Sequence, residues 1–174
     1  GYDSFYGGKV HMCQELNPPN AGYDVVERDR RASLPDACIE FIQRKRDRPF
    51  FAVASFINPH DICYMAIDDY TTSAGKPVMY PRSVVERERM AQALRRPEGV
   101  SREEFFGRLC PPLPDNYEVP VLEPECVTTD YLGVRSFRVY ARESWSDERW
   151  REHRWAYCRL TEMVDAQIGQ VLDA

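Results

Sequence analysis

The sequence predicts an α/β fold: a central, mainly parallel sheet flanked by helices. Three observations carry this expectation. Residues 49 to 57, PFFAVASFI, are apolar on both faces, short enough for a strand and bounded by polar punctuation, the pattern of a strand in a covered parallel sheet. A helical pattern leads directly into that run, and helix followed by strand is the α/β alternation. Residues 147 to 173 then carry an apolar stripe at helical spacing, and a helix of that length extends about 40 Å, enough to lie along a sheet.

In chain order, a short strand is expected at Ser4 to Tyr6, entering the glycine pair Gly7 and Gly8. Residues 14 to 31 are polar, hold Pro18, Pro19 and Gly22, and read as a loop. Ser33 and Asp36 stand at capping-box spacing with Pro35 in the first turn. Cys38, Ile39, Phe41 and Ile42 give the helix its apolar face, and it should end near Arg46 in a basic last turn that suits the helix dipole. The strand at 49 to 57 has the length of a central strand and stops where Asn58-Pro59-His60-Asp61 begins, because Pro59 cannot continue a ladder.

Residues 64 to 135 are less regular. Ser83 to Arg95 looks helical, with Val84, Val85, Ala91 and Leu94 on one side. Ser101 and Glu104 form a second capping-box pattern, opening a short helix through Phe105 and Phe106. Residues 110 to 125 contain five prolines and read as an extended surface strap. In the long C-terminal helix, Trp150, Tyr157, Leu160, Val164, Ile168 and Val171 are assigned to core packing.

The 174 residues suffice for one domain with a real core. A net charge of −5 gives no overall basic field and makes nucleic acid a poor partner. No apolar run approaches the length of a membrane span. The basic clusters at Arg28, Arg30 and Arg31 and at Arg44 to Arg48 read as solvated helix ends and turns. The six cysteines are scattered with no Cys-x-x-Cys pair, which excludes a zinc ribbon and leaves buried thiols or one or two disulfides open.

The residues able to do chemistry lie in two loops after strands. Lys9 and His11 stand one residue apart in Gly7-Gly8-Lys9-Val10-His11, and His60 lies in Asn58-Pro59-His60-Asp61. An ammonium can hold a phosphoryl or sulfuryl oxygen, and an imidazole can carry a proton near neutral pH. Glycines let the backbone approach the same anion. His153, inside the long helix among arginines, is read as a partly exposed helix residue.

GYDSFYGGKVHM resembles the segment of formylglycine-dependent sulfatases in which a strand leads into Gly-Lys-x-His. PFFAVASFINPHDIC resembles their buried strand ending in Asn-Pro-His-Asp, and WAYCRLTEMVDAQIGQVLDA their long helix with Asp-x-x-Ile-Gly. PPLPDNYEVPVLEPE resembles the proline-rich connection of bacterial members. The resemblance implies the alkaline-phosphatase-like sandwich. It implies that Lys9 binds a sulfate oxygen, that His11 hydrogen-bonds the nucleophile, and that His60 contacts the ester and protonates the leaving alcohol. It also implies that Asn58 shapes the turn and that Asp61 orients His60 or touches substrate.

The family's nucleophile motif, Cys/Ser-x-Pro-x-Arg, does not occur in these residues; Cys110 has Pro112 two positions on, but Pro114 replaces the arginine. The resemblance therefore implies that residues 1 to 174 are the central part of one sulfatase domain, with 64 to 145 a variable, proline-rich insertion. The remainder of the domain would bring the nucleophile and hold a divalent cation, calcium or magnesium; none is assigned to this segment. The implied substrate is a small-molecule or saccharide sulfate ester, and a periplasmic or secreted setting is favoured. Two alternatives stand beside it: a phosphonate or phosphodiester hydrolase of the same superfamily, and a non-catalytic anion-binding module.

Overall fold

A computed structural model of the chain describes residues 1–28, 31–78, 80–133 and 135–174. It is a mixed α/β structure that divides into two compact units, residues 1–60 with 160–174, and residues 61–159.

The first unit holds a three-stranded parallel sheet in the order β2-β1-β3, with β1 at Asp3–Gly8, β2 at Val25–Arg28 and β3 at Phe50–Ser55. Parallel pairing sets Gly8 beside Arg28 on one side and beside Ser55 on the other. Helix α1, Leu34–Gln43, supplies the crossover cover. Phe5, Leu34, Cys38 and Phe41 form its buried core, with Ala52, Ala54 and Val171 packed against them. The Phe5 and Phe41 rings lie 5.0 Å apart. Burying an aromatic side chain of this kind contributes about 2–3 kcal/mol. On the opposite face of β1, Tyr6 meets Tyr23 edge-on at 5.4 Å, and Tyr23 stacks on Phe51.

The parallel sheet matches expectation, but several local expectations do not hold. β1 is longer than three residues and runs through both glycines. β2 falls inside the region read as a loop; its four residues alternate half-buried and exposed, too short a signal to stand out among polar neighbours. β3 is an edge of this sheet, not its centre, and Phe50 and Phe51 are 41% and 52% exposed. The apolar run measured hydrophobicity, and β1, with its two glycines, took the central place. Ser33 caps α1 by position, but its side chain makes no cap hydrogen bond. The helix stops at Gln43 rather than Arg46; Arg46 instead reaches back to the carbonyls of Ile42 and Phe41, satisfying helix-end acceptors with a cation.

The second unit is helical. α2 spans Cys63–Ser73, α3 Val84–Leu94, α4 the single turn Arg102–Glu104 and α5 Ser136–Ser144. Phe105–Leu109 and Val127–Leu132 wind as π-helical turns. α2 and α5 lie in the region read as irregular; charged and hydroxyl residues interrupt their apolar pattern, yet Met65, Ile67, Phe137 and Ala141 are buried. The helix expected from Ser83 forms and opens on a capping box between Ser83 and Glu86 that was not anticipated. The buried face of α3, however, is Met90 and Ala93, while Val84 is 58% exposed. The Ser101 hydroxyl accepts from the Glu104 amide, opening the expected turn into buried Phe105. Residues 111–124 hold no helix or strand, consistent with an extended strap.

α6, Asp147–Leu172, is the expected long helix, its residues divided between the two units. Its inner positions are only partly those of the apolar stripe. Leu160 is fully buried, but so are Ala156 and nearly so Gln167, while Tyr157 and Ile168 are exposed. Gln167 earns its place by donating from Nε2 to the Arg31 carbonyl at 2.7 Å, since a buried amide needs a partner. No described helix is long and apolar enough to cross a membrane. All six cysteines are free thiols; burial pushes Cys38 and Cys110 up from the usual thiol range.

Candidate functional site

The sheet delivers three chain segments to one edge. Gly8, Arg28 and Ser55 are neighbours in register at the C-terminal ends of their strands, the edge at which open α/β sheets bind ligands. Lys9 follows β1 directly, and Asn58 to His60 follow β3 by a few residues.

Lys9 is fixed through its backbone. Its amide donates to the Ser55 carbonyl at 2.8 Å, and its carbonyl accepts from the Tyr6 hydroxyl at 2.7 Å. Gly8 makes the close approach possible. Its φ is +105°, and a Cβ there would sit 2.0 Å from the Ser55 carbonyl oxygen, so no other residue fits. Gly7 is also crowded, against Leu34 and the Phe5 ring. The pair therefore serves packing within the sheet as well as any ligand. With its backbone held on both sides, the Lys9 side chain is left exposed.

His11 and His60 are exposed; His11 follows Lys9 by two residues after β1, and His60 follows β3 by five. The His60 amide closes a tight turn onto the Ile57 carbonyl at 3.1 Å, after a cis Asn58–Pro59 peptide. Asn58 is half-buried. Asp61 is fully buried, a place for orienting neighbours rather than for meeting a solvent-borne ester.

Beside Lys9 lies an open groove of about 670 Å³, lined by Lys9, Asn17, Val26, Arg28, Arg31 and Ile57 among others. His11 and His60 are not among its lining residues. A second, smaller space of about 10 Å³ sits against Asn58, Arg31 and Gln167, room for about one water. Arg28, exposed at the end of β2, and Arg31, in the turn after it, fit the expected solvated ends and also line the groove; Arg30 lies outside the described residues. The signal that could have found Arg28 is the Val25-Val26-Glu27-Arg28 alternation, which puts Val26 and Arg28 on one exposed face of β2.

His153 is less accessible than a surface helix residue. It packs against the Trp145 ring at 5.5 Å and Trp150 at 5.8 Å. Burial, and secondarily the Arg149 charge, pull its imidazole down to about 4.

Among the described residues, no three or more His, Cys, Asp or Glu side chains group as a metal site. Compared with protein-family models, curated proteins and solved structures, the chain matches none.

Proposed function

We propose that this chain supplies the anion-holding and proton-transfer part of a sulfuric ester hydrolase, completed by the rest of its catalytic domain. The observation that supports it is the backbone lock on Lys9: a strand-end lysine pinned at its amide and its carbonyl, with its ammonium left exposed. A positioned cation facing solvent can bind a sulfate oxygen without first ordering its main chain. In this reading Lys9 holds the sulfuryl group. His60 gives a proton to the departing alkoxide oxygen as the S–O bond breaks, and His11 hydrogen-bonds the attacking oxygen. Asp61, being buried, orients the His60 turn. Taken alone, the 174 residues turn over no ester, because the nucleophile lies in the remainder of the domain.

A non-catalytic anion-binding module is the second reading, favoured by the arginine wall of the groove. A phosphonate or phosphodiester hydrolase would use the same three side chains on another tetrahedral oxyanion. The test is turnover by the full-length parent with paired substrates. His60→Ala should slow alkyl sulfate hydrolysis by roughly 10²–10⁴-fold and activated phenol sulfate far less, because only the poor leaving group needs general acid help. Equal losses on both esters remove the general acid. A parent that hydrolyses phosphodiesters in preference to sulfates selects the superfamily alternative, and one with no esterase activity selects the binding module.

A further inference from the structure

We infer that Tyr70 is a nucleophilic tyrosine, a covalent acceptor of acyl groups from activated acyl donors, set up by the Lys76 ammonium on its phenolic oxygen. The site lies wholly within the helical unit, residues 61–159, and stands independently of the sheet edge and of the sulfuric ester reading.

The placement begins with two helix faces. Tyr70 and Ser73 stand three apart on α2, and Ser136 and Tyr140 four apart on α5, spacings that put each pair on one face of its helix. The two faces meet. The Tyr70 and Tyr140 rings lie 5.9 Å apart, Ser136 bonds the Tyr70 oxygen, and the Ser73 and Tyr140 hydroxyls lie 2.7 Å apart. Both tyrosines are half-buried, and each is paired with a serine of the other helix. Lys76 separates them. Its Nζ donates to the Tyr70 oxygen at 2.7 Å and lies 5.0 Å from the centroid of the Tyr70 ring.

The lysine is held there by its main chain. α2 ends at Ser73, and Gly75 follows in the left-handed region at a φ of +60°. The Gly75 amide donates to the Thr72 carbonyl at 3.2 Å and the Lys76 amide to the Thr71 carbonyl at 3.0 Å, the pairing that closes a Schellman turn. An ammonium carried on a fixed turn meets the phenol without first ordering its backbone. It favours the ionised oxygen, so Lys76 first and Ser136 second hold the Tyr70 phenol below the usual tyrosine range. The carboxylates just before it on α2 are paired, Asp68 with Arg82 and Asp69 with Arg149, which limits their repulsion. Tyr117 is the opposite case: its hydroxyl donates to Asp147 at 2.7 Å, and that bond pushes it up to about 12.

An ionised phenol is a nucleophile. Its oxygen bonds the acyl carbon, and the bond from that carbon to the leaving group breaks. The leaving group departs with the electron pair and, in the net reaction, with the phenolic proton. An uncharged acyl carbon suits this site better than a phosphoryl group, which would compete with the phenolate for the Lys76 ammonium.

Treating the folded chain with N-acetylimidazole and mapping the products by peptide mass spectrometry tests this. Hydroxylamine removes acetyl from phenols but not from lysine, and so identifies the tyrosine esters. Tyr70 should be acetylated about tenfold faster than Tyr140 and faster still than Tyr117, and the three should react alike in urea. Lys76→Gln alters an exposed side chain; with its melting curve unchanged, it should bring Tyr70 down to the Tyr140 rate. Lys76→Arg is the second variant; it keeps a cation and should keep Tyr70 ahead of Tyr140. The inference is overturned if Tyr70 reacts no faster than Tyr140 in the folded chain, if the two lysine variants act alike, or if Lys76 is acetylated in place of Tyr70.

Discussion

The two units hold their charged side chains in opposite ways. At the sheet edge, main-chain geometry does the fixing: Gly8 at positive φ, the Lys9 amide on Ser55 and the Tyr6 hydroxyl on the Lys9 carbonyl. The lysine side chain remains exposed. In the helical unit the charges themselves are the fixings. Arg149 forks onto both Asp69 oxygens at 2.7 and 2.8 Å and reaches Glu152 at 3.0 Å. Arg151 donates to the carbonyls of Phe106, Cys110 and Pro111, and Arg142 pairs with Glu123. A side chain committed to tying the fold together spends its donors on protein acceptors first. A side chain whose main chain is tied instead has all of them. The histidines differ in exposure: His11 and His60 are exposed, and His153 packs against two tryptophans.

The largest expected effect breaks the sheet-edge arrangement. Gly8→Ala places a methyl group 2.0 Å from the Ser55 oxygen at a φ of +105°. Strain at such a position and loss of the Lys9–Ser55 bond together cost about 3 kcal/mol. Gly22→Ala is the internal control. It also has positive φ, +84°, but nothing lies within 4 Å of its added Cβ, so only the conformational cost of about 1 kcal/mol remains. Urea midpoints of the two variants give the comparison; equal losses would show that the close approach at Gly8 contributes nothing.

A smaller effect, confined to acid, belongs to the helical unit. His153 is held down to about 4 in the folded chain, against 6.5 for a free imidazole, by burial first and by Arg149 second. Between those values the unfolded chain binds a proton that the folded chain excludes. Stability is therefore lost as pH falls from about 6.5 to about 4, by on the order of 2–3 kcal/mol, and this group adds no further slope below that. His153→Phe keeps an aromatic ring and removes the proton. The stability difference between the original chain and this variant should change across that window and stay constant above pH 7. A difference independent of pH would mean that the imidazole is already solvated in the fold.

How much of this could be read from the sequence follows from the same contrast. The parallel sheet, the Ser101 cap, the long helix and the loop residues Lys9, His11 and His60 all have local signals: an apolar run, a capping spacing, a period, a glycine pair. Arg28 has only the brief alternation of β2, and Arg31 has none of its own. Their place depends on β2 pairing with β1, a contact between chain segments that no window of sequence contains. Gln167 is legible only once Arg31 is known to offer it a carbonyl. The central place of β1 was hidden because its glycines lower its hydrophobicity, while the stronger apolar run, β3, stands at the edge. Helices α2 and α5 were hidden because their partners are each other: Tyr70 meets Tyr140, and the Ser73 and Tyr140 hydroxyls lie 2.7 Å apart.

The smallest effect sharpens the point about committed charges. Arg149→Lys keeps the charge and loses the fork, so one ammonium must replace a guanidinium that bridges Asp69 and Glu152. A point charge can hold one carboxylate well, not two in fixed geometry. The group is half-buried, so solvent screens part of the attraction, and the expected loss is about 1 kcal/mol. The lysine variant should also weaken the cation–π contact with the Trp145 ring, whose centroid lies 5.8 Å from the guanidinium carbon. With the neighbouring charge less close, His153 should take up its proton in the fold at slightly higher pH, so the acid end of its stability slope moves upward. Thermal melts of Arg149→Lys and the Arg149→Lys, His153→Phe double variant separate these: coupling appears as a departure from additivity. Strict additivity, with a lysine variant as stable as the original, would mean that Arg149 ties nothing that a plain cation cannot.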